Sequence, residues 1–150
     1  MREVFAYGTL LSGEPNHSIL EVLLGKTQFV GTAITKPEFR MFTQGWFPYV
    51  TWERKVSSHA AVAHKNGYPI HGEVYSVDAA TLASLDRLEG VPHHYVREQI
   101  EVTMTNEGAT INPSGQSRAV DIYLYLGDTS RLREITSGNW KENKTTGSAD

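Results

Sequence analysis

Apolar positions recur at two different periods along this chain, and the switch between them outlines the elements. From Asp78 the period is helical: Leu82, Leu85 and Leu88 follow a residue suited to capping, and Gly90 supplies the stop, so the pattern predicts a helix here. A second, short helix is predicted after Asn16, where Ile19, Leu20, Leu23 and Leu24 precede Gly25. The remaining apolar runs are brief and rich in β-formers: Glu3 to Tyr7, Gln28 to Thr35, Phe39 to Phe42, Phe47 to Trp52, Ser58 to Ala63, Ile70 to Ser76, Tyr95 to Met104 and Arg118 to Leu126. Short strands, two helices and no regular βαβ alternation predict an α+β domain with a curved or closed sheet. That domain is expected over residues 1–140, with Trp140 as an apolar anchor and a polar, disordered tail over 141–150.

Two breaks in these patterns point to chemistry. Glu89 falls four residues after Leu85 and seven after Leu82, on or beside the apolar stripe of the predicted helix. Desolvation and the negative end of the helix both push such a carboxyl toward a raised pKa, which suits general acid-base work near neutrality. The structural alternative is an ion pair with Arg97, or a side chain that reaches water at a frayed helix end. In the late strands Val120, Ile122, Leu124 and Leu126 alternate with Asp121, Tyr123 and Tyr125, while Tyr95, Arg97 and Gln99 share a face. A sheet apolar on one side and aromatic-polar on the other is either a pocket wall for a small polar ligand or a solvated face.

Composition narrows the function. The 150-residue chain carries a formal charge of -3 and no cysteine. This disfavours nucleic acid and membrane surfaces as partners and removes disulfides, thiolate metal sites and cysteine nucleophiles. Neither a signal peptide nor an anchor is apparent at the N-terminus, and a soluble cytoplasmic protein is expected. Oligomeric state is not legible.

Tyr7-Gly8-Thr9-Leu10 reads as a strand ending in a glycine turn, which groups backbone N–H donors for an oxyanion or carboxylate. It matches neither a Walker A loop nor a dinucleotide fingerprint. Glu73, in mid-strand with Tyr75 on the same face, is the rival carboxylate. The six histidines show no ligand spacing, so no metal is expected. Ser12, Thr9 and Ser84 lack an adjacent base. Trp46, Phe47, Tyr49 and Trp52, beside Arg54 and Lys55, read as core and pocket wall in preference to a nucleic-acid stacking platform.

Taken together, Val4 to Leu10, Gly13-Glu14-Pro15-Asn16-His17, Gly72-Glu73-Val74-Tyr75 and Leu85 to Gly90, with Tyr95 and Arg97 behind them, resemble the gamma-glutamylcyclotransferase-like family. The resemblance covers roughly residues 4 to 126 and is strongest to the branch of gamma-glutamylamine cyclotransferases and avirulence-induced-gene-like proteins. It implies a small mixed β-barrel flanked by helices, and an enzyme that releases an amine or amino acid from a γ-glutamyl compound while forming 5-oxoproline, with no cofactor. By the same resemblance Glu89 takes the position of the acid-base glutamate and Tyr7, Gly8, Thr9 and Leu10 that of the substrate loop. Tyr95, Arg97, Tyr123 and Tyr125 are expected as pocket hydroxyls and a charge partner. Ala6, where valine is common, and His93-His94 depart from the family pattern, the latter at the expected pocket mouth. A non-enzymatic binding domain on the same fold is the competing reading. Whether the substrate is a free γ-glutamyl amino acid, a γ-glutamyl-lysine crosslink, glutathione or a protected biosynthetic intermediate stays open.

Overall fold

The computed structural model describes residues 2–8, 27–53, 67–105 and 115–142. Within them lie β1 (Arg2–Ala6), β2 (Gln28–Thr35), β3 (Phe39–Thr43), β4 (Pro48–Trp52), β5 (His71–Val77), α1 (Ala79–Leu88), β6 (Tyr95–Met104), β7 (Ser117–Tyr125) and β8 (Arg133–Glu134). The expected helix after Asn16 and the expected strand from Ser58 to Ala63 fall outside the described residues. The two-residue β8 was not anticipated, because a strand so short has no period to read. It exists by pairing with Phe42 and Thr43 of β3.

Five strands form a ring in the order β1-β5-β2-β6-β7. All the neighbours along it are antiparallel, and the ring closes where Val4 of β1 meets Asp121 of β7 in parallel. A second sheet, β4-β3-β8, packs alongside. The result is the expected mixed α+β fold, strand-rich, with α1 and a helical turn over 140–142. Its core gathers Phe5, Phe39, Met41, Ile70, Leu85, Met104, Ile122 and Trp140, all but excluded from solvent. At roughly 1.5–3 kcal/mol for each large apolar side chain buried, such residues outweigh any single polar contact in the fold.

Both faces of β7 are buried. Val120, Asp121, Ile122, Tyr123 and Leu124 are all inside, so the face bearing Asp121 and Tyr123 is not the solvated one. Leu126 lies past the end of the strand and is exposed instead of extending its apolar face. At the other end of the chain Trp140 is buried, and Lys141 reaches toward Glu73 at 3.6 Å, so the docked part of the chain extends past residue 140.

Helix α1 is set by its two ends. The Asp78 side chain accepts from the Thr81 backbone N–H at 2.8 Å and also pairs with the Thr81 hydroxyl, satisfying one of the free donors of the first turn. At the C-terminus Gly90, at φ +65°, adopts the left-handed conformation. The Gly90 N–H donates to the Arg87 carbonyl and that of Val91 to the Asp86 carbonyl, a Schellman ending. Leu85 is fully buried and Leu82 packs against the core, while Leu88 is half exposed. Glu89 is therefore the C-cap residue, one past the end of a helix pinned at both ends and along one face.

Candidate active site

A cavity of about 590 Å³ opens where four segments converge. Its walls are the end of β1 with Tyr7 and Gly8, the β3–β4 hairpin with Phe47, Pro48 and Tyr49, the end of α1 from Arg87 to Gly90, and the barrel strands through His94, Tyr95, Tyr123 and Tyr125. The size suits a small molecule. Phe47, Tyr49, Tyr125 and Tyr95 form a continuous aromatic wall, with successive ring centroids 5.2, 4.3 and 5.5 Å apart.

Glu89 projects from the helix terminus into this space. Removal from water raises its carboxyl from an ordinary 4.5 to about 7. Desolvation is the cause; no cation among the described residues is paired with it. Three phenols surround the group closely enough for its charge to act on them. Tyr7, Tyr95 and Tyr123 are each raised above the usual tyrosine range, chiefly by burial and further by Glu89. They remain protonated at any pH where Glu89 titrates.

Of the residues singled out in the sequence, Glu89, Tyr7, Gly8, Tyr95, Tyr123 and Tyr125 meet at the cavity, whereas Thr9 and Leu10 lie outside the described residues. Arg97 is not part of the wall. Its Nε and Nη2 donate to the Asp86 carboxylate at 2.9 and 3.2 Å, and Nη1 to Asp121 at 3.1 Å. It is neither a pocket cation nor a partner for Glu89, because two carboxylates on its own side of the sheet occupy its fork. Glu73 also lies off the cavity, buried and accepting the Tyr75 hydroxyl at 2.7 Å.

Two candidate roles change in detail. The Tyr7 hydroxyl is used internally, donating to the Tyr123 backbone carbonyl at 2.6 Å, so the residue offers the cavity its ring. At Gly8 the close approach is to protein: a Cβ there would stand 2.7 Å from Cγ of Pro48. Among the aromatics expected as core, Trp46 is 82% exposed, since it sits at the tip of the β3–β4 hairpin beyond Gly45. Trp52 does pack inward, stacked on Phe39 at 5.6 Å. Asp86, three residues before Glu89, was missed in the sequence; the only signal was its place on the same helical face.

Among the described residues, no group of three or more His, Cys, Asp or Glu side chains is placed to hold a metal ion. No described helix is long and apolar enough to cross a membrane.

Comparison with known proteins decides the family. The chain matches the family described as "Gamma-glutamyl cyclotransferase, AIG2-like" over residues 4–142. It belongs to that family. A Vibrio cholerae protein named "Putative gamma-glutamylcyclotransferase" is 39% identical over 138 residues, covering 91% of this chain and 93% of the relative. The gamma-glutamylaminecyclotransferase of Rattus norvegicus is 32% identical over 127 residues, 83% of this chain and 77% of that protein. The crystal structure of an AIG2-like protein from Mus musculus superposes with a TM-score of 0.69 at 26% identity, spanning 91% of this chain and 86% of the other. For this family member, the shared profile and the relatives' names support gamma-glutamylcyclotransferase activity on a small γ-glutamyl compound.

Proposed function

We propose that this protein cyclises the γ-glutamyl part of a γ-glutamyl amine or amino acid to 5-oxoproline and releases the amine, with Glu89 as general base and then general acid. The observation that carries this reading is the desolvated Glu89 carboxyl, titrating at about 7 inside the cavity. A group with that pKa accepts and returns a proton near neutral pH.

The substrate's α-ammonium loses a proton to Glu89, and the freed amine attacks the γ-carbonyl carbon. The C–N bond to the leaving amine then breaks as Glu89 gives the proton to that nitrogen, and the ring nitrogen passes its second proton through the freed Glu89 carboxylate to water, leaving the neutral lactam. Nucleophile and electrophile belong to one molecule, so the main task of the cavity is to hold the glutamyl chain in its folded, reactive conformer. The motif segment Tyr7-Gly8-Thr9-Leu10, of which Tyr7 and Gly8 line the cavity, is the proposed binding element for the glutamyl end. Tyr95 and Tyr125 belong to the wall against which the chain folds.

The test is mass-spectrometric detection of 5-oxoproline from a panel of γ-glutamyl amines and peptides, with wild type and Glu89→Gln. Product from the wild type alone is expected. Equal turnover by the variant removes Glu89 from the mechanism. Thermal stabilisation by ligand with no product from any panel member leaves a binding domain on the same fold.

A further inference from the structure

The polar cluster behind the cavity has a direction. The Tyr123 hydroxyl donates to Oδ1 of Asp86 at 2.7 Å. That same oxygen accepts from Arg97 Nε at 2.9 Å, and the second carboxylate oxygen accepts from Arg97 Nη2 at 3.2 Å. Arg97 is in turn held by Asp121, which is buried and also takes both arms of Arg2, at 3.0 and 2.9 Å. The chain from Arg2 through Asp121 and Arg97 to Asp86 thus links the barrel seam to the last turn of α1.

A phenol has one proton to donate and lone pairs with which to accept. At Tyr123 the proton is committed to Asp86, and an ionised carboxylate has none to give back. We propose that Asp86, held by Arg97, is a positioning residue that fixes Tyr123 as a hydrogen-bond acceptor toward the cavity, where its phenolic oxygen receives an N–H of the substrate's α-amine. The inference rests on the cyclisation reading, and it names the part of the substrate that this wall recognises: a primary amine on the carbon chain, not merely an acyl group of the right length.

The arrangement also gives the amine an orientation. Tyr123 and Glu89 both line the cavity, and Glu89 acts electrostatically on the phenol. An ammonium held by the Tyr123 oxygen through one N–H and by the Glu89 carboxylate through another loses its proton to Glu89 and keeps the first bond. The freed lone pair is then restrained in direction, as ring closure requires. The other groups facing Glu89 do not duplicate this role. Tyr7 gives its proton to the Tyr123 carbonyl and its oxygen is already met by the Val50 backbone N–H, and Tyr95 has no carboxylate among the described residues to take its proton and fix it as an acceptor. Arg87 lies on the cavity wall but brings only donors where an acceptor is needed.

The experiment measures binding by calorimetry in a Glu89→Gln background, where turnover does not interfere. The probes are γ-glutamyl-butylamide and its counterpart lacking the α-amine, glutaryl-butylamide. Preference for the amine-bearing probe is expected to fall about tenfold on Tyr123→Phe and on Asp86→Ala, the loss of one hydrogen bond to a charged group. The glutaryl probe should bind all variants alike. Asp86→Asn keeps an accepting oxygen for Tyr123 while losing the ion pair, so it should retain most of the preference. An unchanged preference in Tyr123→Phe, equal losses for both probes, equal effects of Asn and Ala at position 86, or no binding of either probe each overturn the proposal. Asp86→Ala is to be verified as folded by circular dichroism, and Tyr123→Phe, which removes only an oxygen, carries the test if it is not. The cyclisation reading fails separately, if wild type forms no 5-oxoproline from γ-glutamyl-butylamide while the amine preference persists.

Discussion

The Tyr7 hydroxyl donates to the backbone carbonyl of Tyr123 across 2.6 Å, tying the end of β1 to β7 beneath the cavity. Both residues are almost wholly buried, so the bond has no water to replace it. Removing the donor leaves a buried carbonyl short of a partner, at a cost of about 1–3 kcal/mol. Tyr7→Phe should therefore lower the melting temperature and reduce turnover by less than about tenfold, a loss of roughly 1.4 kcal/mol at most in the transition state. A drop of several hundredfold with an unchanged melting temperature would mean that the hydroxyl serves the substrate instead.

Glu89 makes the protein's stability depend on pH in a stated direction. Its carboxyl titrates at about 7 in the folded chain against 4.5 ordinarily, so between these values the folded state holds more of the proton. The stability it contributes is complete below about 4.5 and is lost as pH rises through 7. Glu89→Gln, which cannot ionise, should gain stability over wild type across that window. Parallel thermal melts from pH 4.5 to 8 check this; curves that keep a constant separation would show that the carboxyl is not desolvated.

The same titration should appear in the rate. If ionised Glu89 is the base, kcat/KM rises with pH through a limb centred near 7 and levels off above it. A limb centred at an unperturbed carboxylate value would assign the step to a solvated group.

Gly8 stands where a methyl group would collide with Pro48. The Cβ of Gly8→Ala would lie 2.7 Å from Cγ and 2.9 Å from Cδ of a rigid ring that begins β4. The β3–β4 hairpin must move, at a cost of about 1–3 kcal/mol typical of overpacking. Because Pro48 and Tyr49 are cavity wall, KM should rise together with the loss in melting temperature. A variant unchanged in both would show that the hairpin yields freely.

The N-cap of α1 lies at the end of the helix away from Glu89. Asp78→Ala removes the acceptor for the Thr81 N–H and should cost about 1 kcal/mol. Leu85 and the Gly90 ending still hold the far end of the helix, so activity below the melting transition should stay within a few-fold of wild type. A much larger loss of activity would place the cap in control of Glu89.

Much of the site was legible in the chain because its signals are local. A carboxyl on the apolar stripe beside a helix-stopping glycine is a contradiction within one helical turn, and it identified Glu89. Alternating runs located the strands because a side-chain period of two persists whatever the strand packs against. The aromatic face of β7 was read correctly as a set but ambiguously as an environment. Alternation separates the two faces without saying what lies over either.

What tertiary structure decided is the pairing of groups far apart in sequence. The sequence by itself determined seven of the eight described strands, helix α1, the odd position of Glu89 and the family motif. It offered Arg97 as a partner for Glu89 or a charge in the pocket, since an arginine's reach admits several carboxylates. Pairing of β6 with β7 and docking of α1 on that sheet brought Asp121 and Asp86 to the same guanidinium, and those two took it. The use of the Tyr7 proton, the contact of Gly8 with Pro48 and the exposure of Trp46 were settled in the same way. Each depends on which segments the fold sets side by side, and hydrophobic periodicity carries no record of that.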